Sequence, residues 1–279
     1  MNPEPAISHI LPKSSLSGLR VLIRGAGEMA SGVAYRLAHA GFHLLMTEIS
    51  RPLAVRRAVS YCEAVYDGSK IVEGRTARLI QSPEEAEGLW AGAELPVIVD
   101  PHMTCRAAIR PMVIVDALVA KRNTGLSKGM APLTIGLGPG FHAPDQVDLA
   151  IETNRGHNLG RLITLGSPEP NTGVPGNIAG YTSQRVLRSP AAGVFETDLD
   201  LGERVRAGQV VARVSGQAVE AKVDGILRGL LRPGAEVVPG TKVGDVDPRG
   251  QIEYLHTISE KARALGGSVL EGILAAFNR

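Results

Sequence analysis

Residues 21–41 read VLIRGAGEMASGVAYRLAHAG. The apolar run Val21, Leu22 and Ile23, closed by a Gly-rich turn, has the pattern of a buried parallel strand. Beyond the turn, Ala30, Val33, Ala34 and Leu37 recur at helical spacing, and Gly41 ends the helix. Gly25, Gly27 and Ala30 fit G-x-G-x-x-A, with Glu28 and Met29 in the variable positions. In a dinucleotide fingerprint each small residue has a task. Gly25 allows the tight turn, Gly27 lets a pyrophosphate approach the backbone, and Ala30 lets helix and strand touch. The helix N-terminus then offers its unpaired N–H groups to the phosphates.

The next apolar run, FHLLMTE (42–48), ends at Glu48, 23 residues beyond Gly25. That is near the ~20 at which a dinucleotide site places an acid on a ribose hydroxyl. A carboxylate there repels a 2′-phosphate and favours NAD over NADP. Arg51, Arg56 and Arg57 follow, and either partly reverse that preference or form the solvated face of a helix in RPLAVRRAVSYCEAVYDG (51–68). KIVEGRTARLI (70–80) predicts a hairpin turning at Glu73-Gly74, and SPEEAEGLWAG (82–92) a helix. Val- and Ile-rich runs at 95–101, 112–118, 132–140, 147–153 and 161–166 suit strands of a mostly parallel buried sheet.

The fold class expected is α/β, with a Rossmann-like, mostly parallel sheet over 19–186. In such sheets ligands sit outside the carboxyl ends of the strands. Lys121, Arg122, Lys128 and Arg155, with the GLGPG turn at Gly136–Gly140, therefore make either an anion site or a solvated loop. His157 is the weak candidate for catalysis; beside Gly156 it either caps a helix or acts chemically. The loop NTGVPGNIAG (171–180) reads as a lid or an interdomain hinge.

Composition excludes several classes. A net charge of +2 and 4% aromatics do not describe a nucleic-acid binder. No apolar run approaches the ~20 residues of a membrane span. The Pro-containing residues 1–18 read as a loose tail, with no secretory signal, so a cytoplasmic location is expected. There is no G-x-S-x-G elbow and no H-E-x-x-H, so no metal is expected. The two cysteines, Cys62 and Cys105, read as buried small hydrophobes.

Residues 189–214 and 221–246 repeat one pattern, G-x8-G-x-x-V-x-x-G-x5-V, at a constant offset of 32. Gly193 matches Gly225, Gly202 matches Gly234, Val205 matches Val237, Gly208 matches Gly240 and Val214 matches Val246. Two interlocked β-halves follow. The pattern resembles the biotinyl/lipoyl domain, a barrel-sandwich hybrid, and implies a small all-β module over 187–248. Lys222 lies inside the second repeat rather than at a hairpin tip, and no E-A-M-K-M is present, so a structural or docking module without a carried group is expected. The segment 249–279 predicts a C-terminal helix. It opens on a capping box, Thr257-x-x-Glu260, and carries an apolar stripe interrupted at Gly266-Gly267, which docks on the α/β part or on another subunit.

The ordered motifs VLIRGAGEMASGVAYRLAHAGF, AVRRAVSYCEAVYDG, VDPHM, VDALVAKRN, MAPLTIGLGPGF, IETNRGHNLGR and NTGVPGNIAGYTSQRVLRSPAAGVF resemble the YqeB-type family of selenium-dependent molybdenum hydroxylase system proteins, over about residues 19–250. The resemblance implies a pathway, with a molybdenum hydroxylase and its maturation proteins as partners, and supplies no catalytic residues. Three readings compete. The first is an accessory protein binding a nucleotide, with NAD and the molybdopterin cytosine dinucleotide as candidates and the chain itself forming a homo-oligomer. The others are an NAD-dependent oxidoreductase and a non-catalytic scaffold. In the first, Gly25, Gly27, Glu28, Met29, Ala30 and Glu48 hold the pyrophosphate and ribose. Lys121, Arg122 and Arg155 take the remaining anionic end.

Overall fold

A computed structural model describes residues 16–278. Residues 1–15 of the expected tail lie outside that range. Its last three residues are not loose: Leu16 joins the core, and Gly18 N–H donates to the Gly41 carbonyl at 3.0 Å.

The first strands are β1 (Arg20–Arg24), β2 (His43–Glu48), β3 (Ser69–Val72), β4 (Arg75–Ile80) and β5 (Leu95–Val99). Then come β6 (Val113–Asp116), β7 (Leu133–Leu137), β8 (Leu149–Ile151) and β9 (Leu162–Ile163). They form one sheet in the order β3-β4-β5-β2-β1-β6-β7-β8-β9. Pairings from β4 to β8 are parallel; the edge pairs β3/β4 and β8/β9 are antiparallel. The strand order runs away from β1 in both directions, so the chain leaves a crevice at the carboxyl ends of β1 and β6. Central strands are buried on both faces, which is why they read as continuous apolar runs.

Helix α1 (Glu28–His39) covers one face. The segment 51–68 is not the long helix its periodicity predicts. It holds two three-residue 3-10 turns and the four-residue α2 (Ala64–Asp67). The reason is a competing partner: the Val55 carbonyl accepts from Leu230 N–H at 2.8 Å, so this backbone serves another unit rather than a helix. Arg56 is accordingly buried, not solvated. It donates to the carbonyls of Tyr254 and Thr257. Arg57 donates to the Leu230 carbonyl at 2.7 Å and pairs with Asp200. The opposite sheet face is covered by α3 (Ala86–Ala91), α4 (Arg106–Ile109) and loops around Leu126 and Phe141.

The second unit comprises β10 (Val186–Arg188), β11 (Gly193–Glu196), β12 (Arg204–Val205), β13 (Val210–Val214), β14 (Gln217–Glu220), β15 (Gly225–Leu230), β16 (Glu236–Val237) and β17 (Lys242–Asp247). One antiparallel sheet runs β10-β17-β15-β12 and the other β14-β13-β11-β16. The repeat halves exchange strands: β12 of the first pairs with β15 of the second, and β16 of the second with β11 of the first. Phe195, Val214, Leu227, Leu230 and Val246 fill a core of their own, against which Val55 packs. Lys222 is exposed between β14 and β15, while the hairpin tip is Ser215-Gly216.

The chain ends in α5 (Glu253–His256) and α6 (Glu260–Phe277). The cap is Ser259, whose hydroxyl accepts from Ala262 N–H; Thr257 instead donates to the Glu253 carbonyl at 3.0 Å. Gly266-Gly267 do not interrupt α6. A Cβ at Gly266 would lie 2.7 Å from the Gly32 carbonyl oxygen, and one at Gly32 would lie 2.7 Å from Ala262. These glycines let α6 lie directly on α1. Among the described residues no helix is long and apolar enough to cross a membrane.

Candidate functional site

The Gly-rich turn joins β1 to α1 at the crevice. Gly25 has φ +96, a conformation that favours glycine, and its N–H donates to the Thr47 carbonyl at 2.8 Å. A Cβ at Gly25 would touch Leu118 at 3.0 Å. Gly27 is different. Its φ of −70 and ψ of −175 are open to any residue, and a Cβ there would meet no protein atom within 4 Å. Packing therefore gives no reason for a glycine at position 27. Ala30 is fully buried where α1 meets the sheet.

Gly25, Gly27, Glu28, Met29 and Glu48 line a cavity of about 250 Å³, with Pro52, Leu53, Ala54, Cys62 and Ala117–Val119 as its other walls. Glu48 carries its own load: one carboxylate oxygen accepts from Ala26 N–H at 2.9 Å and the other from Ile49 N–H at 2.9 Å. Burial nonetheless raises its pKa against these two bonds. Each oxygen keeps a second lone pair for a ligand hydroxyl. Glu28, in the first turn of α1, lies 3.8 Å from the buried Arg56 guanidinium, which offsets a carboxylate where an anion would approach. Cys62 is buried beside Glu48 and Glu63, and burial pushes its thiol well above the ordinary range. Burial and Asp100 do the same to Cys105, against the mild activation its neighbour Arg106 would provide.

Beneath the turn lies a buried ion pair. Arg24, at the end of β1, donates to Asp116 at 3.0 Å and to the Thr124 hydroxyl and carbonyl. Burial raises Asp116, and Leu118 N–H and Arg24 act the other way. This pair anchors the loop after β6, in which Val119 and Lys121 take left-handed φ values of 51 and 65. For a β-branched residue such as Val119 this is strained, at ~1–3 kcal/mol.

Val119 is also a wall of a second cavity, of about 330 Å³. This one opens between the carboxyl ends of β7 and β8, the 169–176 loop, the β-module and α6. Of the basic candidates, Lys121 and Arg155 line it. Arg122 does not; its backbone packs on Gly140, where a Cβ would lie 2.3 Å from Arg122 Cα. Lys128 is drawn away to the Pro144 carbonyl and Asp148. His157 is exposed on the turn after Asn154 and lines neither cavity. Arg185, Arg188, Lys242 and Lys261 join Lys121 and Arg155 instead. They come from the module's entry, its last strand and α6, and no local motif marks them. Burial and Arg155 lower the Lys261 ammonium, while Glu28, Glu152 and Glu260 act to raise it. Among the described residues no three His, Cys, Asp or Glu side chains group to hold a metal.

No family model matches the sequence. The chain is 48% identical over 259 residues to "Uncharacterized protein YqeB" of Escherichia coli K12, covering 93% of this chain and 48% of that protein. It thus spans about half the length of the curated relative it matches. Similar solved structures include a succinylglutamate desuccinylase/aspartoacylase from Rhodobacter sphaeroides (15% identity, 82% of this chain and 85% of that one, TM-score 0.26). Others are an aspartoacylase family protein from Mesorhizobium loti (14%, 82% and 85%, TM-score 0.25) and the ectoine utilization protein EutE of Ruegeria pomeroyi (15%, 84% and 60%, TM-score 0.22). With TM-scores this low, no residue of those proteins is carried over to this chain.

Proposed function

We propose that this chain binds a dinucleotide at the carboxyl edge of its parallel sheet, in a Rossmann-like manner, as an accessory protein in the maturation of a molybdenum hydroxylase. The observation that carries the binding is Gly27: a glycine with ordinary φ, at the N-terminus of a 12-residue helix, whose missing side chain leaves open space. A pyrophosphate seated on the α1 N-terminus explains that space, and Glu48 stands at the same cavity for a ribose hydroxyl. Met29 lines it one turn position further on. The pathway rests on the motif string, which favours the molybdopterin cytosine dinucleotide over NAD. An oxidoreductase reading relied on His157 as proton donor, and the placement of His157 on an exposed turn gives it no support.

The test is calorimetric titration of the full chain with NAD, NADP, FAD, S-adenosylmethionine, CTP and the pterin cytosine dinucleotide, using Gly27→Ala as control. The pterin dinucleotide is expected to bind more tightly than NAD, NADP or FAD and to weaken at least ~100-fold in the variant, about 2.7 kcal/mol. The variant's urea unfolding is expected to match wild type. Selective NAD binding overturns the maturation reading in favour of redox chemistry. Binding of nothing makes the turn structural and the protein a scaffold.

A further inference from the structure

We infer that the cavity between the sheet's carboxyl edge and the β-module is a second, separate site, for a phosphorylated small molecule. Its wall carries Lys121, Arg155, Arg185, Arg188, Lys242 and Lys261 against only Glu152 and Glu169. The two acids are occupied in shaping the loop. Glu152 accepts from Asn154 N–H and Glu169 N–H, each at 2.6 Å. Glu169 accepts from the side-chain amides of Asn154 and Asn158 at 2.8 and 2.9 Å.

The described residues compensate these cations only in part: Arg155 donates to Glu260 at 2.8 Å, while the others have fewer acidic partners than charges. Arg185 and Lys242 share one carboxylate, Asp245, so one positive charge of that trio is left over. The Arg185 side chain is 5% exposed, and its Nε has no hydrogen-bond partner. Among the described residues the Arg188 side chain donates only to the Gly240 carbonyl. Lys261 makes no hydrogen bond or ion pair with a described residue, although burial and Arg155 disfavour its charge. Holding several cations in a half-enclosed cleft costs free energy that a multivalent anion removes. Arginine and lysine together are the residues that take phosphoryl groups.

The volume narrows the class. About 330 Å³ exceeds what a lone oxyanion fills and falls in the range of small-molecule pockets. Pro139, Pro170, Val174, Pro175 and Val186 supply apolar wall for the body of the ligand. This inference does not need the Gly-rich turn to bind anything, because none of these cations lines the turn's cavity.

Inorganic pyrophosphate and CTP are the probes, titrated calorimetrically into the full chain at two salt concentrations. Both variants Lys261→Met and Lys121→Met remove charges that make no hydrogen bond or ion pair with a described residue, so each is expected to unfold in urea no more readily than wild type. Pyrophosphate is expected to keep one salt-sensitive site in Gly27→Ala, and that site is expected to lose about tenfold in each lysine variant. CTP binding more tightly than pyrophosphate supports a ligand with a body; equal affinities overturn that part and leave a site for the free oxyanion. The inference is overturned if neither probe binds wild type, or if both lysine variants bind as wild type. Loss in Gly27→Ala alone overturns it too, by placing the anion on α1.

Discussion

Gly266 and Gly267 are neighbours in α6, and replacing each by alanine should change stability in opposite directions. In a helix interior alanine is favoured over glycine by ~1 kcal/mol. At Gly267 a Cβ meets nothing within 4 Å, so that gain stands alone and Gly267→Ala is expected to stabilise by about 0.5–1 kcal/mol. At Gly266 the Cβ falls 2.7 Å from the Gly32 carbonyl oxygen and 2.8 Å from Arg36 Cγ. Ordinary contact begins at 3.4 Å, so α1 and α6 must separate by roughly 0.7 Å. The oxygen belongs to a helix backbone and does not move aside. Overpacking of this kind costs ~1–3 kcal/mol, which leaves Gly266→Ala about 1–2 kcal/mol less stable than wild type. Urea unfolding followed by the fluorescence of Trp90 reads this directly. It is the only tryptophan, and its indole N–H donates to the Leu44 carbonyl of β2 at 2.7 Å. The midpoints should move apart with the slope unchanged. Shifts of the same sign in the two variants would refute the account of the helix crossing.

Two further predictions concern buried charge. Arg24→Met leaves the Asp116 carboxylate, 2% exposed, without its cation, and should cost ~3–5 kcal/mol in urea unfolding; adding Asp116→Leu should recover most of it. In the module, burial acts to raise Asp247, but paired bonds from Arg249 at 2.9 and 2.6 Å, with Arg228 nearby, hold its carboxyl below the usual range. A depressed carboxylate stabilises fully above its unfolded pKa of about 3.9, and this is lost as pH falls through the lower folded value. Unfolding midpoints measured from pH 5 to 2.5 should show that loss, and Asp247→Asn should flatten it.

The parts legible in the sequence are those whose determinants are local. Gly25, Gly27 and Ala30 sit in one strand–turn–helix, and the 32-residue offset of the module survives in its turn glycines. The hairpin at Glu73-Gly74 is present, and Glu73 does more than turn: it accepts from Arg263 and from Ile258 N–H, tying α6 to the hairpin. Residues 51–68 misled because Arg56 and Arg57 find their acceptors near positions 230 and 254–257, so helical periodicity was competing with partners far along the chain. The cationic cleft was legible only in Lys121 and Arg155, for the same reason. Lys121, Arg185, Lys242 and Lys261 converge only after the module and α6 have docked. Gly266 looked like a break because contact with another helix backbone has no signature in one helix's own pattern.

The exchange of β12 and β16 between the two repeat halves bears on how such a module came to exist. One repeat alone would present β11 and β15-like strands with an empty edge, and would complete its sheets only by meeting a second copy. A chain carrying both copies converts that bimolecular encounter into an internal one, at an effective concentration of roughly millimolar order. Dilution then no longer threatens the fold, and each half is free to diverge: one offers Asp200 to Arg57 of the α/β part, the other closes the cationic cleft with Lys242.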